Sequence, residues 1–225
     1  MNIAIIVAAG SGTRFAADQP KQLTHVLGKP LIIHTLERFE ACPAVDEIIL
    51  VLSGTGRIEF EQIRAGFELK KLKTIVTGGD TRAGSVRNGL DAIDGAKANV
   101  IAVHDGARPL VSVAEITRTI EKADETGAAC LVAELTDTIK EIDGGAITGT
   151  VDRKKLRRAL TPQAFRYDIL KRAFENAELG ENVTDECYLI EELGVEIAAV
   201  EGSSRNIKIT RAEDLILAEV FLERE

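Results

Sequence analysis

The chain opens with Ile3-Ala4-Ile5-Ile6-Val7 and runs straight into Ala8-Ala9-Gly10-Ser11-Gly12-Thr13-Arg14-Phe15, with Pro20-Lys21 close behind. The first run is nearly all β-branched, the pattern of a strand covered on both faces. The turn after it is built of small residues, which let the backbone approach a ligand closely, and its successive N–H groups can form an anion-binding nest. Between Ala8 and Lys21 the cations Arg14 and Lys21 face the single acidic residue Asp18, in a chain of net charge -8. That local reversal of sign suits a polyphosphate. Two familiar glycine loops do not fit: a dinucleotide fingerprint needs a small third residue where Phe15 stands, and a Walker A loop needs Gly-Lys where Phe15-Ala16 stands.

Beyond this stretch, short apolar runs alternate with longer helical patterns. Pro30 opens a helical pattern carried by Leu31, Ile32, Leu36 and Phe39 and ended by Cys42-Pro43. Ile48 to Leu52, Thr74 to Val76, Val100 to Val103 and Ala128 to Ala133 read as strands, and Ile58 to Phe67, Arg82 to Ile93 and Val113 to Glu125 as helices. The alternation predicts an α/β fold: a Rossmann-like, mostly parallel sheet with helices on both faces, forming one domain over residues 1–225. Between about Glu134 and Phe165 the pattern changes. Gly144-Gly145 and Gly149 separate polar, β-prone pieces from Thr138 to Ile142 and Ile147 to Val151, as in a protruding β-arm. Tyr167 to Ala177 and Asp185 to Leu193 then read as helices, Val195 to Val200 and Asn206 to Ile209 as strands, and Arg211 to Leu222 as a closing helix.

At 225 residues, 45% hydrophobic and 28% charged, the chain can bury a large core. Its acidic balance argues against nucleic acid as a partner, which needs a broad basic face. Cys42, Cys130 and Cys187 are far apart and odd in number, as buried free thiols in a reducing compartment are. No apolar stretch approaches the roughly 20 residues of a membrane span, and the first residues lack the basic start of a signal peptide. A cytoplasmic protein with no membrane partner is the expectation.

The strand followed by A-A-G-x-G-x-R and P-K resembles the nucleotidylyltransferases that act on sugar and polyol phosphates. Further stretches are similar to the polyol-phosphate cytidylyltransferase family: Gly78-Gly79-Asp80-x-Arg82-x-x-Ser85-Val86, Val103-His104-Asp105-Gly106-Ala107-Arg108-Pro109, Thr150-Val151-Asp152-Arg153, Leu160-Thr161-Pro162-Gln163, Thr184-Asp185-Glu186 and Asn206-Ile207-Lys208-Ile209-Thr210. They follow the family's order and span nearly the whole chain. The resemblance implies transfer of CMP from CTP to 2-C-methyl-D-erythritol 4-phosphate, with release of pyrophosphate, in non-mevalonate isoprenoid synthesis. D-Ribitol 5-phosphate is the alternative acceptor. From a different class, an NAD-dependent oxidoreductase is the distant alternative, weakened by Phe15.

The resemblance also distributes roles. Arg14 and Lys21 stabilise charge on the α-phosphate and the leaving pyrophosphate. Arg153 and Lys208 position the attacking polyol phosphate. Ala8, Ala9, Gly10, Ser11, Gly12, Thr13, Gly79, Asp80, Ser85, Asp105 and Ala107 contact CTP. Arg108, Thr138, Thr161 and Thr184 join Arg153 and Lys208 in holding the polyol phosphate, and Arg suits a phosphate because its planar fork can bind two oxygens. Asp105 holds Mg²⁺ or another divalent cation, and the arm forms a homodimer. His104 receives no chemical role. Cys187-Tyr188 is bulkier than the small residues the pattern favours and predicts a reshaped polyol pocket.

Overall fold

The computed structural model describes residues 1–10, 21–177, 180 and 183–224. Ser11, Gly12, Thr13 and Arg14 lie outside the described residues. In chain order the elements are β1 (Ile3–Ala8), β2 (His25–Val26), β3 (Lys29–Pro30), α1 (Leu31–Ala41), β4 (Glu47–Leu52), α2 (Gly54–Ile63), β5 (Leu72–Thr77), α3 (Arg82–Asp91), β6 (Val100–Asp105), α4 (Val113–Thr126), β7 (Ala128–Glu134), β8 (Lys140–Asp143), β9 (Ala146–Thr150), β10 (Arg157–Arg166), α5 (Tyr167–Asn176), α6 (Glu186–Glu192), β11 (Ala198–Glu201) and α7 (Ala212–Leu222).

Among the described residues the main sheet has seven strands in the order β11-β7-β10-β6-β1-β4-β5. All neighbours pair in parallel except around β10, which runs antiparallel to both β6 and β7. Alternate residues of each buried strand serve opposite faces. Ala4, Ile6 and Ala8 pack with Ile33, Leu36 and Phe39 of α1 and with Ile116 and Ile120 of α4. Ile3 and Ile5 pack with Val86 and Leu90 of α3 and with Leu170 and Phe174 of α5. This two-sided burial is why the strands read as continuous apolar runs.

The chain goes from β1 outward to β4 and β5, then returns to place β6 on the other side of β1. The carboxyl ends of β1 and β6 therefore flank a topological switch point, where open α/β sheets bind ligands. Val7 pairs with Asp105 across that point.

The structure corrects three boundaries. Residues 157–166, read as the end of the arm, form β10 in the middle of the sheet. Pro162 hid this strand, because proline cannot donate to a ladder. It falls in the break of the β10–β7 register between Ala159 and Gln163, where no such donor is required. Asn206 to Ile209 forms no strand: Ile209 N–H donates to the Ala107 carbonyl (2.8 Å) while its side chain is buried with Leu31 and Leu110, so burial rather than a ladder explains its apolar character. The strand expected at 195–200 begins only at Ala198. The arm itself is the hairpin β8–β9, turned at Gly144 and Gly145 (φ 54° and 84°), a turn for which glycine is suited. Ile142 and Ile147 project from it into solvent, 70% and 67% exposed.

Candidate active site

A cleft of about 480 Å³ opens over the switch point. Ala9 and Gly10 leave β1 on one side, Asp105 and Ala107 leave β6 on the other, and Lys21, Gly79, Asp80, Ser85 and Lys208 complete its wall. A second, smaller cleft of about 270 Å³ adjoins it and shares Arg82, Asp105 and Lys208, adding Arg108, Thr161 and Thr184. Ala9, Gly10, Gly79, Asp80, Ser85 and Ala107, expected to bind the nucleotide, thus line the larger hollow, and Arg108, Thr161 and Thr184, expected to bind the acceptor, the smaller one, with Asp105 and Lys208 common to both.

The nucleotide side depends on close backbone packing. A methyl group built on Gly78 would stand 2.3 Å from Ala9 Cβ and 2.8 Å from Ser85 Oγ, and one on Gly79 3.0 Å from the Gly84 backbone. Only glycine lets this loop lie against β1 and α3. Ser85, nearly buried, accepts from Gly79 N–H (3.1 Å) and donates to the Thr81 carbonyl (2.9 Å), so its hydroxyl also shapes the loop. Gln22 donates to the Gly10 carbonyl (3.0 Å), and Lys21 Nζ donates to the Ile209 carbonyl (2.7 Å), setting its ammonium on the rim.

Asp105 is the electrostatic centre, 6% exposed. Its Oδ1 meets Arg82 Nε at 3.1 Å; its Oδ2 meets Arg108 Nε at 3.1 Å and Lys208 Nζ at 3.0 Å. Burial alone would raise this carboxyl, but Arg82, Lys208 and Arg108 override it and hold the group far below the usual carboxylate range. Arg82 also donates to Glu186 Oε1 at 2.7 Å. Burial pushes the Glu186 carboxyl up, and the charge of Arg82 offsets only part of that.

His104 is fully buried, its ring 4.9 Å from that of Phe39. Its Nε2 lies 3.1 Å from the Arg108 carbonyl, which can only accept, so Nε2 carries the proton and Nδ1 accepts from Thr161 Oγ1 at 3.0 Å. Thr161 Oγ1 in turn accepts from Asp105 N–H at 3.1 Å. This relay holds Asp105 at the strand end, while Thr161 also lines the smaller cleft. Burial lowers the His104 pKa to about 3. The folded pKa is below the unfolded value near 6.5, so the neutral ring supports the fold above pH 6.5, and that support is lost as pH falls towards 3. In urea titrations, unfolding free energy should fall by up to about 1.4 kcal/mol per pH unit in this window, and His104→Gln should flatten the slope.

Arg153 and Thr138 are not brought to either cleft of their own chain. Arg153 lies beyond the hairpin, its guanidinium donating to the Thr136 carbonyl. Tyr188 borders neither cleft, and Cys187 is buried in the apolar layer that also holds Cys130, so the reshaped polyol pocket expected from these two residues is not found. Sequence reading gave no separate role to Arg82 or Glu186. They stand 104 positions apart, and only their shared neighbourhood in the TDE and GGDxR segments hinted at them.

Among the described residues no three His, Cys, Asp or Glu side chains cluster as a metal cage. The residues do fit a cation carried in by nucleotide phosphates, since Mg²⁺ is commonly held by one or two carboxylates plus substrate oxygens. Asp105, held ionised by its cationic neighbours, lines the larger cleft together with Asp80. Among the described residues no helix is long and apolar enough to cross a membrane.

The sequence model of the 2-C-methyl-D-erythritol 4-phosphate cytidylyltransferases matches residues 2–224. The enzyme of that name from Bacillus velezensis is 43% identical over 225 residues, 99% of this chain and 96% of its own length. A bifunctional relative from Desulfotalea psychrophila is 44% identical over 221 residues; the match covers 98% of this chain but 56% of that protein. The solved 4-diphosphocytidyl-2C-methyl-D-erythritol synthase from Anaerococcus prevotii superposes with a TM-score of 0.85 at 31% identity, covering 99% of this chain and 98% of that one. The Francisella tularensis cytidylyltransferase gives a TM-score of 0.81 at 32% identity, with 98% and 99% covered. None of these relatives is a ribitol phosphate enzyme or an oxidoreductase. With the family model matched over residues 2–224 and a relative 43% identical across 99% of the chain, the chain belongs to the 2-C-methyl-D-erythritol 4-phosphate cytidylyltransferase family.

Proposed function

We propose that CTP lies across the carboxyl ends of β1 and β6 and that the acceptor phosphate enters from the adjoining hollow. The reaction of the family is attack of a 2-C-methyl-D-erythritol 4-phosphate oxygen on the α-phosphorus of CTP, with pyrophosphate leaving. Two polyanions must meet in line, so neutralisation and positioning dominate over covalent chemistry. The observation that carries the reading is Asp105 shared by both clefts and faced by Arg82, Arg108 and Lys208. Arg108 and Lys208 border the acceptor side, where each can pass from Asp105 to the incoming phosphate. Lys21, which lines the nucleotide cleft, stabilises the charge that builds in the transition state, a role the family motif assigns to Arg14 as well. Asp105 would hold a divalent cation, which would supply neutralisation of the phosphate charge.

The same reading makes the protein a homodimer through its arm, with Ile142 and Ile147 covered by a second copy and Arg153 and Thr138 completing the partner's acceptor site. A cytoplasmic setting suits its three buried free thiols. Pyrophosphate release measured with CTP and Mg²⁺ should strongly favour 2-C-methyl-D-erythritol 4-phosphate over D-ribitol 5-phosphate. Preference for the ribitol ester would keep the transfer chemistry and overturn the acceptor.

A further inference from the structure

Glu186 is a completely buried carboxylate at the first turn of α6, and its Oε2 has no hydrogen-bond partner among the described residues. Its other oxygen meets one group, the Arg82 guanidinium at 2.7 Å. Isolating a carboxylate in this way is costly unless its charge has a use. Arg82 reaches Asp105 Oδ1 through Nε while its Nη1 donates to Glu186. The two Asp105 oxygens are therefore unequal. Oδ1 is bound by a cation fixed from behind, with an Arg82 side chain only 24% exposed. Oδ2 is bound by Arg108 and by Lys208, whose side chain is 41% exposed and borders both clefts.

We propose that Glu186, acting through Arg82, is a positioning residue that confines Arg82 to Oδ1, so that Oδ2 of Asp105 is left to Arg108 and Lys208, the side chains that pass to phosphate and free this oxygen for the nucleotide-borne divalent cation. Without that anchor the guanidinium can turn flat onto the aspartate, take both oxygens as a fork, and compete with the cation. The inference rests on the reading that Asp105 holds the cation. Gln163 anchors the same helix start independently, its Oε1 accepting from the N–H groups of Glu186 (3.1 Å) and Cys187 (3.2 Å). The backbone of α6 therefore keeps its tether when the Glu186 charge is removed.

The test is Mn²⁺ binding to the protein–CTP complex, followed by the loss of the free-ion paramagnetic resonance signal, in the wild type, Glu186→Gln and Asp105→Asn. Glu186→Gln should weaken Mn²⁺ binding by about tenfold or more, as loss of a ligand-orienting partner commonly does. Its turnover number at saturating Mn²⁺ should stay near the wild-type value. Glu186→Asp, which keeps the charge but draws it back by one methylene, should shift binding in the same direction and serves if the Gln variant does not fold. Unchanged Mn²⁺ affinity in a folded Glu186 variant, while Asp105→Asn binds weakly, overturns the inference. So does a lowered turnover number that excess Mn²⁺ does not restore. Unchanged affinity in Asp105→Asn instead overturns the cation reading itself.

Discussion

Lys21→Ala should lower the turnover number by about 10²–10³-fold, the effect of losing one preorganised contact to developing charge, roughly 3–4 kcal/mol of barrier. Lys21 sits on the cleft rim in a single helical turn, its ammonium directed by the Ile209 carbonyl at 2.7 Å. That carbonyl belongs to the residue after Lys208, so the loop bringing one cation to Asp105 also holds the other at the cleft. The ammonium has no part in the apolar layers, and its removal should leave the melting temperature within a few degrees of wild type. The Michaelis constant for the acceptor should change little, because a contact made chiefly in the transition state appears in turnover. Steady-state kinetics with a melting curve checks this. Near wild-type turnover would remove Lys21 from the chemistry.

Arg153→Ala should be nearly inactive alone and should regain activity when mixed with Asp105→Asn. Arg153 does not border the cleft of its own chain, although its motif assigns it to the acceptor phosphate. If the arm completes the partner's site, each mixed dimer holds one site with both residues intact, and random exchange restores about a quarter of wild-type activity. Asp105→Asn and Arg153→Ala are unfolded, exchanged and assayed together. A mixture no more active than its components would place Arg153 in its own chain's site or outside the chemistry.

The sequence exposes some of this more readily than the rest. β1, β4, β6 and β7 are legible because both faces are covered, so their apolar runs are unbroken. The loop from Ala8 to Lys21 stands out in the sequence because its small residues and cations contradict the chain's acidic balance. β10 is obscured: it begins with two arginines, contains Pro162, and owes its central place to the register break that accommodates the proline. Lys208 is recognisable by its motif, but the conformation that delivers it is not, because Ile207 and Ile209 imitate a strand while serving a separate apolar cluster. The Arg82–Glu186 pair is hidden for a different reason. Two charges 104 positions apart carry no periodicity, and only the meeting of α3 and α6 beside β6 gives them a common purpose.

A crystal structure with CTP and Mg²⁺ tests the central claim, that the switch point between β1 and β6 is the nucleotide site with Asp105 at its centre. The account predicts cytosine against the backbone of Ala9 and Gly79, triphosphate along the loop that ends at Lys21, and the cation between Asp105 and the α-phosphate. CTP bound away from the ends of β1 and β6, or phosphates turned from Lys21 and Asp105, would contradict it.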